Sequence, residues 1–361
     1  MRLLNKYVLR EWLISFVAAY LIVSSLLLLE DVYNNFYFFI KAGVGVTALA
    51  KYSLALSVTF IPLIIPIVLF ISALFSFSRL RSSNEIIAMQ CNGSSILQIS
   101  KPVLYAGVVI SAVSLLLEIK IIPISMEYVN EFRISADSAT KYSTKAHKFG
   151  FRNNKDKRMW VFSNINKMSL TAEGICISCF DDNWNETKRI FAESAKFDKE
   201  LRKWTFYKCN VAMFDKNGNI SGNIQLHDMV TFDEFYETPQ MLLLSLKKPK
   251  YLSFSEVKSA IKLAGPDENS GVFFVKFHKT FSNFVTNILV LALAIPFATT
   301  GIRIDTLTNT AKASILLILF FVLNFFFEIL GNNGKMYAVI SAWLGNVVLA
   351  FPVIYLFRKT I

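Results

Sequence analysis

Six long apolar runs constrain this chain more than any other feature. A bilayer core of about 30 Å takes about 20 mostly apolar residues to cross as a helix. The runs lie at approximately Leu13–Leu29, Tyr52–Phe77, Val103–Ile122, Phe281–Ala298, Ala313–Ile329 and Tyr337–Phe357. In hydrocarbon every backbone N–H and C=O must be satisfied within the protein, so each run is expected to be a helix. Three runs end before residue 125 and three begin after residue 275, leaving a polar block between them. That block is long enough for a domain with its own core. A hydrophobic content of 54%, with 33 Phe, agrees with an integral membrane protein. The first run follows Arg2, Lys6 and Arg10 but leads into Glu30-Asp31-Val32-Tyr33 without a small-residue cleavage pattern. It reads as a retained first span.

The net charge of +12 raises the question of a nucleic-acid partner. Its distribution points elsewhere. Residues 125–270 hold 22 Lys/Arg against 19 Asp/Glu, so most of the excess lies in the segments between spans. There, lysine and arginine set orientation, with the richer side facing the cytoplasm. One set of segments carries Arg2, Lys6, Arg10, Arg79, Arg81, Lys101, Arg303, Lys312, Arg358 and Lys359; the other carries Lys41, Lys51, Lys120, Lys276, Lys279 and Lys335. This bias predicts cytoplasmic termini, a cytoplasmic 79–101 segment and an external polar block, periplasmic in a two-membrane envelope. No nucleic-acid partner is expected.

Within the block, Trp160–Phe162, Ile175–Phe180, Ile190–Ala192 and Trp204–Tyr207 are rich in aromatic and β-branched residues. The clusters Asp181-Asp182-Asn183, Asp198-Lys199-Glu200 and Asp215–Asn219 separate them as turns. Short strands at this spacing predict an all-β domain of the sandwich, jelly-roll or open-barrel type. Glu256–Leu263 reads as a connector helix stopped by Gly265-Pro266. Cys176 and Cys179 have CxxC spacing, but strand alternation would point them to opposite faces. With Cys209 they make an odd number, and His147, His227 and His278 lie far away in sequence, so buried thiols are favoured over disulfides or zinc.

The expected fold class is a membrane α-helical protein with six transmembrane helices and an inserted periplasmic all-β jelly-roll-like domain. Residues 1–124 hold the first three spans, with a coupling helix at about 82–98; residues 125–270 form the β domain and connector helix; residues 271–361 hold the last three spans. Pro62 and Pro66 fall inside the second run, and Pro102 suits the first turn of the third span.

The segment Ser82–Gly93 stands out between the second and third runs. Ser82-Ser83-Asn84-Glu85 has capping-box spacing, with Ser82 accepting from residue 85 and Glu85 bonding back. Ile86, Ile87 and Met89 then form part of one helical face, and Gly93 can end the helix in a left-handed conformation. One reading is an interfacial helix resting on lipid headgroups. The other is a lever gripped by a cytoplasmic motor.

The run Arg81-Ser82-Ser83-Asn84-Glu85-Ile86-Ile87-Ala88-Met89-Gln90-Cys91-Asn92-Gly93 resembles the coupling-helix signature of the LptF/LptG (YjgP/YjgQ) family of lipopolysaccharide-export permeases. Cys91 stands where that family usually has alanine, a small-for-small change. Other features similar to the family follow in order: Tyr7…Phe16, Lys41-Ala42-Gly43, Phe197-Asp198…Trp204, Leu263-Ala264-Gly265 and Phe326–Gly331. The resemblance covers essentially the whole chain, and the Phe197-Asp198…Trp204 spacing and the Phe326–Gly331 ending lean toward the LptG-like member.

The resemblance implies a non-catalytic transmembrane subunit of an ATP-driven exporter. Its implied partners are a homologous second permease, a cytoplasmic ATPase dimer, periplasmic bridge proteins and lipopolysaccharide. ATP-coupling contacts are then expected at Arg81, Glu85, Ile86, Met89 and Gly93. The first and fifth spans would frame a lateral gate, with Glu30, Asp31, Lys41 and Glu328 as lipid-gate candidates; the alternative for these charges is snorkelling to the headgroup zone. No cofactor is expected on this chain, and ATP belongs to the partner. Gly331-Asn332-Asn333-Gly334-Lys335 lacks the spacing of a phosphate-binding loop. An apolar cleft of the β domain, reached by positions such as Phe206, would shield acyl chains. The alternative function is a mechanotransmission or scaffold protein coupling a cytoplasmic ATPase to a periplasmic partner. An enzyme is not expected, since no nucleophile elbow, paired histidines or metal-ligand cluster occurs.

Overall fold

The computed structural model describes residues 2–140, 149–153, 156–166, 170–198, 201, 203–215, 218–239, 242, 252–264, 271–299 and 306–360. The chain divides into a helical unit, Met1–Tyr142 with Phe274–Ile361, and a second unit, Ser143–Phe273. The helical unit holds α1 (Arg2–Lys41), α2 (Val46–Thr59), α3 (Ile61–Ser82), α4 (Glu85–Cys91), α5 (Ile96–Lys120) and α6 (Ile122–Thr140). The β unit contributes α7 (Phe254–Ala264), and α8 (Gly271–Thr299), α9 (Thr306–Asn332) and α10 (Ala338–Thr360) return to the helical unit. Among the described residues, six helices are long and apolar enough to cross a membrane: Leu3–Tyr37, Ile61–Ser82, Ile96–Lys120, Gly271–Thr299, Thr308–Asn332 and Ala338–Arg358.

Three sequence expectations differ from the structure, and proline chemistry decides one of them. The second apolar run is not one helix. It breaks at Phe60 into α2 and α3, with Pro62 in the first turn of α3, where a missing N–H costs nothing. Only Pro66 lies in the α3 interior. Pro102, expected in a first turn, lies inside α5, because Ser95 and Gln98 form a capping box that starts the helix earlier. The polar block was expected to begin at residue 125, but α6 belongs with the helical unit. Its Val129 packs with Phe39, Tyr52 and Leu56 in a small core of its own. The stop at Gly265-Pro266 and the cation Arg303 lie outside the described residues.

The centre of the bundle is built on α3 and α8, the most buried of the spanning helices. Leu69, Phe70, Phe77, Leu291 and Ile295 pack there with Trp12 of α1 and Val103 of α5. Lipid is as apolar as leucine, so close backbone approach and polar side chains do much of the helix matching. Thr286 donates to Asn346 Oδ1 at 2.7 Å, and Asn346 Nδ2 donates to Ser282 Oγ at 2.9 Å, joining α8 to α10. Gly331 of α9 lies against Ser341 of α10 and Val275 of α8; a Cβ there would come within 2.1 Å of Ser341 Oγ and 2.9 Å of Val275 Cγ2.

The β unit is a seven-stranded antiparallel sheet of β1 (Phe149–Asn153), β2 (Arg158–Phe162), β3 (Asn164–Asn166), β4 (Thr171–Phe180), β5 (Glu186–Asp198), β6 (Lys203–Met213) and β7 (Gln225–Phe232). Strand order is β1-β2-β4-β5-β6-β7, with β3 pairing β4. The four predicted strand cores all fall inside strands. One face carries a core of Trp160, Phe162, Ile177, Ile190, Trp204, Phe206 and Phe235. Strict alternation does not hold along its strands. Buried positions run Ala172 then Ile175, Ala192 then Ala195, and Phe206 then Cys209, so the phase slips once in each of three neighbouring strands. The slips fall at adjacent registers around Gly174, Glu193 and Lys208, where Gly174 (φ 58°) and Lys208 (φ 49°) are left-handed. Such local bulges bend a sheet while keeping its apolar side chains on one face.

Cys176 and Cys179 do alternate, and no cysteine forms a disulfide. Cys179 packs against the β core, and burial pushes its thiol up to about 11. Burial also raises the Cys209 thiol. Thiolate is the reactive form. Near neutral pH, maleimide is therefore expected to label exposed Cys91 first, with Cys179 and Cys209 reacting only on unfolding; mass-spectrometric mapping of the labelled sites checks this. For the bundle, Gly331→Val is expected to cost about 1–3 kcal/mol through overpacking, read as a lower unfolding temperature in detergent.

Candidate functional site

The clearest candidate is the connection between α3 and α5. α3 ends at Ser82, whose hydroxyl donates to Arg79 O at 2.8 Å. Ser82 is therefore not the predicted capping residue of the next helix, because its hydroxyl is already committed to the helix it terminates. Asn84 precedes α4 instead, in the left-handed region (φ 61°) that asparagine tolerates better than most residues. Its side chain forms no cap. The hydroxyl of Ser83 donates to Glu85 Oε1 at 2.8 Å, and the hydroxyl of Tyr7 in α1 also hydrogen-bonds Glu85. Glu85 thus ties α4 to the start of α1 rather than closing a capping box.

The helix within the expected 82–98 segment is short, Glu85–Cys91. Gly93 ends it as predicted, with φ 82° and a pair of Schellman bonds: Ser94 N–H to Met89 O at 3.2 Å and Gly93 N–H to Gln90 O at 2.9 Å. Burial divides its residues into two faces. Ile86 (2% exposed) and Met89 (8%) lie in the main helical core with Phe77, Leu80, Ile96 and Ile99. Ile87 (47%), Ala88, Gln90 and Cys91 are exposed, Glu85 is half-exposed, and Arg81 is half-buried beside them. The apolar face predicted as one surface is therefore split between a seat and an outward face. Arg79 adds an ion pair to Glu11 of α1 at 3.4 Å, with 65% of its side chain exposed.

The four gate candidates also separate into two kinds. Glu30 and Lys41 are exposed. Lys41 lies 5.9 Å from the ring centroid of Tyr37. Asp31 and Glu328 are instead engaged within the chain. Asp31 Oδ1 accepts from Arg133 Nη2 at 2.6 Å and Oδ2 accepts from the Tyr52 hydroxyl at 2.8 Å. Glu328 pairs with Lys279 at 3.4 Å, and Lys279 Nζ donates to Asn324 Oδ1 at 2.7 Å. Arg133, Tyr52 and Lys279 were not singled out from the sequence as partners. A lone arginine beyond the third run gives no signal of which acid it meets.

α1 and α9 present apolar stripes away from the bundle. On α1 these include Ile14, Val17, Leu21, Leu26, Leu29, Tyr33 and Phe36; on α9, Ile315, Leu319, Val322, Phe326 and Ile329. A helical-period stripe of exposed apolar side chains suits lipid or another apolar helix. In the β unit, Phe206, expected to reach a cleft, is fully buried against Trp160, Phe232 and Phe235. Among the described residues no group of His, Cys, Asp and Glu could hold a metal ion.

The sequence matches the family described as lipopolysaccharide export system permease LptF/LptG over residues 6–359. No curated protein gives a significant match.

The split of α4 is testable through stability alone. Ile86→Ala should destabilise the helical unit by about 2–5 kcal/mol, the range for truncating a buried isoleucine. Ile87→Ala should stay within about 0.5 kcal/mol. Thermal unfolding of the two detergent-solubilised variants distinguishes a seated Ile86 from an outward one.

Proposed function

This chain belongs to the LptF/LptG family of lipopolysaccharide export permeases, and we propose that it is the non-catalytic transmembrane subunit on which a separate ATPase acts through α4. The observation that carries this reading is the two-faced seating of α4. Ile86 and Met89 fix the helix to the core of α3 and α5, so a force on α4 is passed to the spans without first unfolding a loop. Glu85, Ile87, Gln90 and Cys91 remain available for a partner. A half-exposed carboxylate with apolar neighbours suits a motor pocket that offers a cation and an apolar rim. Within the family signature, the contact set is then Glu85 with Arg81 and Ile87, while Ile86, Met89 and Gly93 hold the helix in shape.

The remaining assignments rest on the same reading. α4 and both termini face the cytoplasm, following the Lys/Arg bias of the short segments. The β unit lies in the periplasm of a cell with an inner and an outer membrane. A homologous second permease covers the stripes of α1 and α9, and lipopolysaccharide enters between such stripes from the outer leaflet. Exposed Lys41 is placed to meet its phosphates, with Glu30 close by in sequence. The aromatic core of the β unit passes the acyl chains toward periplasmic bridge proteins. Because Phe206 is buried, that transfer requires the β core to part. The Phe326–Gly331 ending and the Phe197-Asp198…Trp204 spacing favour the LptG-like member.

Two experiments test this. Tagged chain purified from membranes should bring down a second permease, an ATPase and lipopolysaccharide, identified by mass spectrometry; a folded preparation with none of them overturns the assignment. Glu85→Lys, which also removes the bonds from Ser83 and Tyr7, should still insert but lower lipid release per ATP hydrolysed by about tenfold or more, as for the loss of one charge-assisted contact at an interface. Unchanged release in a reconstituted assay would remove α4 from the coupling route.

A further inference from the structure

Three helices meet at Asp31, and each supplies one member of a closed hydrogen-bonded ring. Asp31 is in α1, Tyr52 in α2 and Arg133 in α6. The Tyr52 hydroxyl donates to Asp31 Oδ2 at 2.8 Å, Arg133 Nη2 donates to Asp31 Oδ1 at 2.6 Å, and Arg133 Nε donates to the Tyr52 hydroxyl at 2.9 Å. Both carboxylate oxygens are thereby occupied, and the phenol serves as donor and acceptor at once. Tyr52 is fully buried, and the Asp31 side chain is only 14% exposed. Aromatic contacts close around the ring: Tyr52 to Phe39 at 5.3 Å and to Phe132 at 5.0 Å between centroids.

The backbone makes this contact consequential. A single residue, Ile121, separates α5 from α6, and it keeps a helical conformation with its N–H bonded to Leu117 O at 2.9 Å. α5 stops at Lys120, and Pro123 in the first turn of α6 has no N–H to continue the ladder. Side-chain packing on α1 and α2 adds to the backbone link with α5 through Ile121 in holding α6 in place. α6 is also the segment from which the chain enters the β unit. α1 in turn carries an outward apolar stripe. An interaction between α1 and α6 therefore ties the stripe-bearing helix to the helix that follows the third span.

We propose that the Asp31–Tyr52–Arg133 ring is a fastener that makes the end of α1, α2 and α6 one mechanical piece, with Tyr52 and Arg133 as positioning residues for export. Motion of α1 is then delivered to α6 without loss. Asp31 acts here through Arg133 and does not itself contact cargo. The export role rests on the permease reading above; the fastening does not.

The test uses the full complex reconstituted in lipid, with Asp31→Asn, Arg133→Gln, Tyr52→Phe and the charge swap Asp31→Arg with Arg133→Asp. Hydrogen exchange over 31–41 and 122–133 reads the fastening independently of any cargo. Either single charge removal should speed exchange in both segments together by about tenfold, and the swap should restore protection. Lipid released per ATP hydrolysed reads the export role. It should fall by about tenfold in the single variants and recover in the swap, with the ATPase rate itself unchanged, a pattern that simple destabilisation would not give. Tyr52→Phe removes one hydroxyl without a charge and should show a smaller loss in both readouts, which keeps the test valid if the swap does not fold. Exchange that stays slow in the single variants overturns the fastener. Fast exchange with normal release overturns its role in export. A wild-type complex that hydrolyses ATP but releases no lipopolysaccharide overturns the permease reading, and exchange alone then decides the fastener.

Discussion

In the hydrocarbon of a membrane the backbone has no water to turn to, and each N–H and C=O must be matched inside the chain. The helical unit follows from that requirement. Several of its breaks fall where a particular residue makes the break inexpensive: Pro62 in the first turn of α3, Pro123 in that of α6, and the left-handed Gly93 that closes α4. Each break creates a place where one helix can be held by side chains instead of by its own backbone. α4 and α6 are both such pieces, at the two ends of the spans that flank them.

Side chains therefore carry the specificity that the apolar effect cannot supply between helices already surrounded by lipid. The Ser282–Thr286–Asn346 bonds align α8 with α10, and Lys279 links α8 to Glu328 and Asn324 of α9. Gly331 permits the approach that such short bonds need. At α4 the division of labour is different. Ile86 and Met89 are buried in the general core, and only the remaining positions of a seven-residue helix are left for a partner. A short helix with a seat and an outward face can transmit force in a way that a loop with the same residues cannot.

The β unit solves another problem. Its sheet must bend to enclose an aromatic core, yet strands with strict alternation would turn half of each apolar set outward at a bend. The slip at Gly174, Glu193 and Lys208 crosses three adjacent strands at one level, so Ile177, Ile190 and Trp204 keep the same side although their spacings are irregular. Fully buried Phe206 shows that this face is filled. Any passage of acyl chains along it involves displacement of aromatic side chains.

Much of this was legible in the sequence because it depends on local composition. The length and hydropathy of the apolar runs required spanning helices. Clusters of aromatic and β-branched residues marked the strands, and the Glu85–Gly93 pattern marked α4 and its stop. What the sequence could not supply were pairings between distant positions. Asp31 and Arg133 lie 102 residues apart, and their ring with Tyr52 exists only because three helices converge. The capping role assigned to Ser82 failed for a related reason: α3 runs through Ser82, and a hydroxyl bonded to its own helix cannot cap the next. Local chemistry thus determined which elements form, while tertiary structure decided which charges are neutralised inside and which stay exposed, because burial and ion pairing depend on what the fold brings alongside.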